Sequence, residues 1–159
     1  IQKGIMNIYF IFPLIFMLHE LEEIAFMPGW VAKVKANKNN WLTEMIPEIS
    51  AKNFTLMVLE EYILLLIITL LCWWTKNLDF YFAVILAYNL HILFHIGQAI
   101  IFKGYIPGLF LGIVSLGLAS WLIWLTVDYV SWDKIFVFLP PAIIIIVVNL
   151  FSIHKWIHL

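Results

Sequence analysis

The sequence has one cysteine, no arginine and few charged residues of either sign. Charged residues make up 12% of its 159 residues, whereas about 25% is typical of a soluble domain. The single cysteine, Cys72, excludes an internal disulfide and a cysteine-based zinc motif. The net charge of −1 lacks the basic excess of a nucleic-acid-binding protein. These shortages describe an apolar chain with no nucleic-acid partner.

Most of the chain consists of long apolar segments. Hydrophobic residues make up 64% of the sequence and the mean hydropathy is +1.00, which indicates an integral membrane protein surrounded by the lipid bilayer. A transmembrane helix needs about 20 apolar residues, and no repeat divides residues 1–159. We therefore predict a single all-α membrane domain, a bundle of about five spans: Ile5–Met27, Phe54–Trp74, Leu78–Phe102, Ile106–Val127 and Lys134–Trp156.

Two parts of this assignment have alternatives. Glu60 and Glu61 fall within the second span, which could instead start at Tyr62 and leave both carboxylates at the interface. The polar connection Pro28–Lys52, between the first two helices, is either a short interfacial helix or an ordinary loop held by its tryptophans. The lysines favour an outside N-terminus and a cytoplasmic C-terminus, because six lie on the side of the first loop, third loop and C-terminus and three on the other.

An acidic cluster interrupts the first apolar segment at His19-Glu20-Leu21-Glu22-Glu23. A charge near the bilayer centre costs about 2.5–3.5 kcal/mol on insertion scales, so ionisable residues at that depth usually belong to a functional site. Other spans contribute Glu60, Glu61, His91 and His95. With a helical rise of about 1.5 Å per residue, all of these residues fall in one layer on the cytoplasmic side. We therefore expect a single site that joins three helices.

Helical spacing predicts which of these side chains meet. His91 and His95 lie one turn apart on one face of their helix, as do His19 and Glu23 on theirs. Glu22 lies about 60° to the other side of His19 by the same periodicity. These residues are therefore expected to face a common centre.

Helical spacing determines less well which way three further glutamates face. Glu20 lies about 100° from His19 and is predicted to face elsewhere. Glu60 and Glu61 also differ by about 100°. We favour Glu60 as the inward-facing member of that pair.

Imidazole nitrogens and carboxylate oxygens together predict a metal site. They suit iron, manganese or zinc rather than copper(I), and the number of carboxylates favours a dinuclear site of the kind found in helix bundles. We expect two irons, with zinc or manganese as alternatives, although a polar network that joins helices or carries protons would use the same residues. The predicted ligands are His19, Glu22, Glu23, Glu60, His91 and His95.

Three residues have further predicted roles around this site. Glu22 would bridge the metals or act as a catalytic general base. Gln98, on the stripe of His91 and His95, would hydrogen-bond to the ligands. Tyr105 would either hydrogen-bond into the layer or anchor the chain in the interfacial aromatic belt.

The pattern resembles the HXXEE family of small bacterial membrane proteins, named for the motif that His19, Glu22 and Glu23 form here. The resemblance extends to the Glu pair, the third-span histidines and the turn Tyr105-Ile106-Pro107-Gly108. It implies a bacterial plasma-membrane protein with a metal centre. Inverzincin proteases (H-x-x-E-H) and membrane di-iron desaturases and hydroxylases are similar only in part, because Glu23 stands where those motifs have histidine.

The function expected from these residues is oxidative chemistry on a lipidic or apolar substrate that enters from the bilayer, with the electron donor left open. The alternative enzyme is a zinc hydrolase in which Glu22 or Glu23 activates water. A metal-ion or proton transporter would use the same residues as a transient site, but no inverted repeat supports it. A non-catalytic assembly factor would use the polar layer only to join helices.

Overall fold

The computed structural model describes residues 2–37, 44 and 46–157, with side chains between residues 7 and 149 of these ranges. The described residues form five long helices and no β-strand, which confirms the predicted all-α membrane bundle. A short 3₁₀ turn (Val127–Tyr129) precedes the last helix. The helices are α1 (Gln2–Ala36), α2 (Ala51–Thr75), α3 (Leu78–Phe102), α4 (Leu109–Thr126) and α5 (Trp132–Ile157).

The outer surface of the bundle is apolar. Among the described residues, the helices α2 to α5 are long and apolar enough to cross a membrane. Large side chains such as Trp74 (79% exposed) and Trp124 (70% exposed) point outward from them, as expected where the surroundings are lipid rather than water. Helix α2 begins at Ala51, so Glu60 and Glu61 lie within one continuous helix, and the start of the second membrane span stays a prediction.

Helix α1 is longer than predicted, because it continues through Pro28 to Ala36. A proline usually ends a helix, but here the following turns are held by packing: Val31 is buried and Trp30 contacts Phe102 at the end of α3. The first part of the predicted polar connection, from Pro28 to Ala36, is therefore a continuation of α1 and not a loop. Residues 38–43 and 45 of the predicted interfacial segment lie outside the described residues.

A second proline in α1 helps to define how the helices pack. Pro13 has no amide proton to donate to the carbonyl of Tyr9 one turn earlier. The hydroxyl of Tyr81 in α3 donates to that carbonyl at 2.7 Å and pairs with Thr69 of α2 at 3.0 Å. An unpaired carbonyl is costly in an apolar interior, so these bonds favour a packing in which α1, α2 and α3 meet at this point.

The helix order around the bundle determines which residues meet near its centre. Helix α1 packs against α2 and α4, and α3 packs most extensively against α4 and α5. Helices α2 and α5 contact each other only lightly. This arrangement brings the middle of α1 next to the second half of α3 and the N-terminus of α4.

Candidate metal centre

The HXXEE segment lies in the middle of α1 and is buried despite its charge. His19 is 0% exposed, and Glu20, Glu22 and Glu23 are also buried. Helix α1 packs against both α2 and α4, so more than one of its faces is covered. This is why Glu20 is buried as well, although its position on the helix predicted that it faces elsewhere.

A hydrogen bond orients the His19 ring. Its Nδ1 lies 3.0 Å from the carbonyl oxygen of Gly108, in the turn before α4. Because a carbonyl only accepts hydrogen bonds, Nδ1 carries a proton, and in the neutral ring Nε2 then has a free lone pair. That Nε2 is buried and has no hydrogen-bond partner. A backbone carbonyl that accepts from the other ring nitrogen is one of the usual ways in which a metal-binding histidine is oriented.

Four side chains converge around the free nitrogen of His19. One ring nitrogen from each of His19, His91 and His95 lies within 4.8 Å of the others. His91 Nε2 and His95 Nε2 are 3.1 Å apart, and Glu23 Oε1 lies 3.6 Å from His19 Nε2 and 3.5 Å from His95 Nε2. The structure therefore brings together four of the six predicted ligands, from α1 and α3.

The spacing of these atoms fits a bound metal ion. Zinc–nitrogen bonds of about 2.0–2.1 Å in tetrahedral geometry place neighbouring ligand atoms about 3.3 Å apart. Three of the separations, His91–His95, His19–Glu23 and His95–Glu23, are 3.1–3.6 Å, and the three histidine nitrogens lie within 4.8 Å of one another. Glu23 Oε1 is also buried and has no hydrogen-bond partner. An unpaired buried carboxylate oxygen is costly, and a cation at the centre would remove that cost.

Glu22 has different partners from Glu23. Its Oε2 accepts a hydrogen bond from the Leu111 amide at 2.6 Å, and its Oε1 accepts from the Phe110 amide at 3.4 Å and from the Tyr105 hydroxyl. Helix α4 begins after Gly108, which has no side chain to cap it. Glu22 supplies this missing cap from α1 and places a negative charge at the positive end of the helix dipole.

Tyr105 forms the hydrogen bond that was one of its two predicted roles. Its partner is Glu22 and not a histidine. Partial burial and this bond to a carboxylate raise the pKa of Tyr105 to about 12. The phenol is therefore protonated and able to donate at neutral pH.

The turn before α4 packs directly against the motif. Gly108 has φ +89°, which disfavours any residue with a side chain. A Cβ atom there would overlap Glu23 Oε1 and lie 2.7 Å from Glu23 Cγ and 2.9 Å from His19 Cε1. A Cβ atom on Gly112, one turn further, would lie 3.2 Å from His19 Nδ1, which is a tight contact but not an overlap. The Pro-Gly turn signal was visible in the sequence, but its contact with the motif was not predicted.

Two predicted site residues lie away from the four converging side chains. Glu60 is exposed on α2, where its Oε2 accepts a hydrogen bond from Asn149 at 3.0 Å. Glu61, the next residue, lines a partly open cavity with Glu20 and His91. The preference for Glu60 as the inward-facing glutamate is therefore wrong, because the rotation of α2 turns Glu61 inward. Gln98 is exposed, so its predicted bond to the histidines is not formed.

The searches for related proteins give one match. Among curated proteins and among solved structures, none matches the chain. A family model described as "Protein of unknown function with HXXEE motif" matches residues 10–122. The matched region is more than half of the chain and includes all four converging side chains and the turn at Gly108. The chain therefore belongs to the HXXEE family.

Proposed function

We propose that this protein is a membrane-embedded metalloenzyme that binds a metal ion through His19, His91, His95 and Glu23 and acts on a lipidic or apolar substrate. The observation that carries the proposal is the convergence of these groups around two buried acceptor atoms without partners, His19 Nε2 and Glu23 Oε1. Buried polar atoms are almost always paired. A divalent metal ion is a partner that satisfies imidazole and carboxylate ligands together.

One metal ion fits the carboxylates better than the two that their number predicted. The dinuclear expectation assumed that the additional glutamates had no other role. Glu22 now caps α4 and Glu60 is bonded to Asn149. A second ion would have to use Glu20 and Glu61 beside His91. The dinuclear site stays a prediction, and the number of metal ions bound per chain distinguishes it from the mononuclear site.

The reaction that we favour is oxidative. Imidazole and carboxylate ligands suit iron, and the cavity beside His91 has mainly apolar walls. When bound, such a metal would supply redox or Lewis-acid chemistry. The protein would contribute the orientation of His19 through Gly108 and the exclusion of water by the buried cluster. Glu20 and Glu61 would accept or release protons at the polar end of the cavity.

Zinc-dependent hydrolysis is the second candidate. Three histidines with an adjacent carboxylate match the pattern of a catalytic zinc site with a general base. In this candidate the three histidines would hold the zinc, and Glu23 would activate water instead of binding the metal. This candidate predicts zinc in place of iron and activity that is independent of oxygen.

Elemental analysis of the purified protein, expressed without a histidine tag, tests the metal site. We expect about one metal per chain in the wild type, with iron supporting oxidation and zinc supporting hydrolysis. The double variant His91→Ala/His95→Ala and the single variant Glu23→Gln should lose it. Glu60→Gln, which changes an exposed carboxylate, is the matched control and should keep it.

The other possible results have clear meanings. About two metals per chain would support the dinuclear site. Full metal content in the double histidine variant would overturn the ligand assignment. A wild-type protein without metal, purified without chelators, would leave the transport or assembly functions and remove the case for a metalloenzyme.

A further inference from the structure

The cavity that Glu61 lines lies between α1, α2, α3 and α5, next to the proposed metal site. Its volume is about 80 Å³. An apolar cavity of about 150 Å³ takes up xenon or benzene, whereas the sites of drug-sized ligands have about 300–1,000 Å³. This cavity therefore has room for a molecule of a few atoms but not for the acyl chain of a lipid.

The lining of the cavity changes from apolar to polar toward the metal site. The apolar walls include Phe12, Phe16, Leu65, Ile68 and Val84. The last residue that each helix contributes on the side of the metal site is polar: Glu20, Glu61, His91 and Asn149. His91 is itself a proposed metal ligand, and Glu20 Oε1 lies 4.0 Å from His19 Nε2. The polar end of the cavity therefore adjoins the metal site.

The open side of the cavity lies between two helices that face the lipid. Helices α2 and α5 pack only lightly against each other, and Leu64 and Ile145 line the cavity from these two helices. The hydrogen bond from Asn149 to Glu60 joins α2 and α5 near the polar end only. A small molecule dissolved in the bilayer can therefore enter between them without crossing water.

We propose that this cavity admits dioxygen from the bilayer to the metal site. The inference rests on the proposed function, because an oxidative metalloenzyme needs an oxidant, and it names that oxidant as a second substrate with its own route. The organic substrate would approach the metal site from elsewhere, since this cavity is too small for it.

The apolar walls favour dioxygen over water. A buried water needs two to four polar partners, and the phenylalanine, leucine, isoleucine and valine side chains of the walls offer none. Apolar molecules are driven out of water into hydrocarbon, so dioxygen is more concentrated in the bilayer than in water. An opening toward lipid therefore supplies dioxygen from the phase that holds more of it.

Methyl NMR under dioxygen pressure tests the route without iron. The protein is prepared in lipid nanodiscs with zinc or without metal, because both forms are diamagnetic, and dioxygen itself is the paramagnetic probe. We expect dioxygen to accelerate the relaxation of the Ile68 and Val84 methyl groups several-fold more than that of Ile92. Ile92 is the matched control, since it is 0% exposed, follows His91 on α3 and does not line the cavity.

Variants that fill the cavity test whether the route leads to the metal site. In protein loaded with iron(II), Ile146→Trp should slow oxidation of the iron by dissolved dioxygen about tenfold, because a bulky side chain in the free space raises the barrier to passage. Leu65→Trp, which fills the cavity from α2, should have the same effect. The control Ile144→Trp, at a 59% exposed position on α5, should oxidise at the wild-type rate.

The results separate this inference from the metal site. Equal relaxation effects at Val84 and Ile92, or nuclear Overhauser effects from water to the Val84 methyl groups, would overturn it, because the cavity would then be closed or hydrated. Equal oxidation rates in Ile146→Trp, Leu65→Trp and Ile144→Trp, with equal iron contents, would also overturn it. Strong relaxation effects at Ile68 and Val84 in a protein that binds no metal would support entry of dioxygen and overturn only the proposed metalloenzyme.

Discussion

Replacing Glu22 with alanine tests whether this carboxylate caps α4 or belongs to the metal site. The carboxylate accepts hydrogen bonds from two amides of the first turn of α4 and from Tyr105. Loss of a helix cap costs about 0.5–2 kcal/mol, and loss of a hydrogen bond to a charged group costs about 1.5–3 kcal/mol. Because Tyr105 is half exposed, we use the lower part of the range for the hydrogen bond to a charged group.

The free energy of unfolding should therefore fall by about 3 kcal/mol in Glu22→Ala. For a chain of this length about 2–4 °C of thermal midpoint corresponds to each kcal/mol, so the midpoint should fall by about 6–12 °C. Glu22→Gln keeps an acceptor but loses the interaction of the charge with the helix dipole, and it should lose only about 1 kcal/mol. Asp128→Ala, which removes an exposed carboxylate elsewhere, is the control and should have little effect.

Thermal unfolding in detergent, followed by tryptophan fluorescence, measures these midpoints, and elemental analysis of the same samples measures metal. We expect Glu22→Gln to keep its metal, whereas Glu23→Gln loses it. If Glu22→Gln lost its metal as Glu23→Gln does, the carboxylate would be a ligand or bridge, as its position in the motif first predicted. The capping interpretation would then be refuted.

Three other predictions concern the same region. Gly108→Ala should lower both the thermal midpoint and the metal content, because the new Cβ would overlap Glu23 and the residue has a positive φ. The control Gly117→Ala should lower neither, because the space around its Cβ is open. Tyr105→Phe should lower the free energy of unfolding by about 1 kcal/mol, measured by the same melt, with metal unchanged because Glu22 keeps its two amide donors. Removing the metal with a chelator should lower the thermal midpoint of the wild type. The free energy of unfolding should fall by about 2.7 kcal/mol if the metal had been present at 100 times its Kd. A His91→Ala/His95→Ala protein whose midpoint fell equally on chelation would contradict the ligand assignment.

The spacing of residues within each helix was predictable, because it depends only on local helical geometry. His91 with His95 and His19 with Glu23 lie one turn apart in the sequence, and each pair does face the same centre. The length of α1 was not predictable in this way. Pro28 is a local stop signal, and it is overridden by the burial of Val31 and the contact of Trp30 with Phe102.

The apolar segments and their intramembrane histidines and glutamates therefore determined the helical membrane bundle and the presence of a polar site within it. Only the tertiary structure decided how those glutamates are used. Glu22 caps a helix whose first turn lies 89 positions away in the chain, and Glu61 rather than Glu60 faces the cavity. Periodicity gives the angle between two side chains on one helix. The rotation of that helix against its neighbours depends on the packing of all of them together.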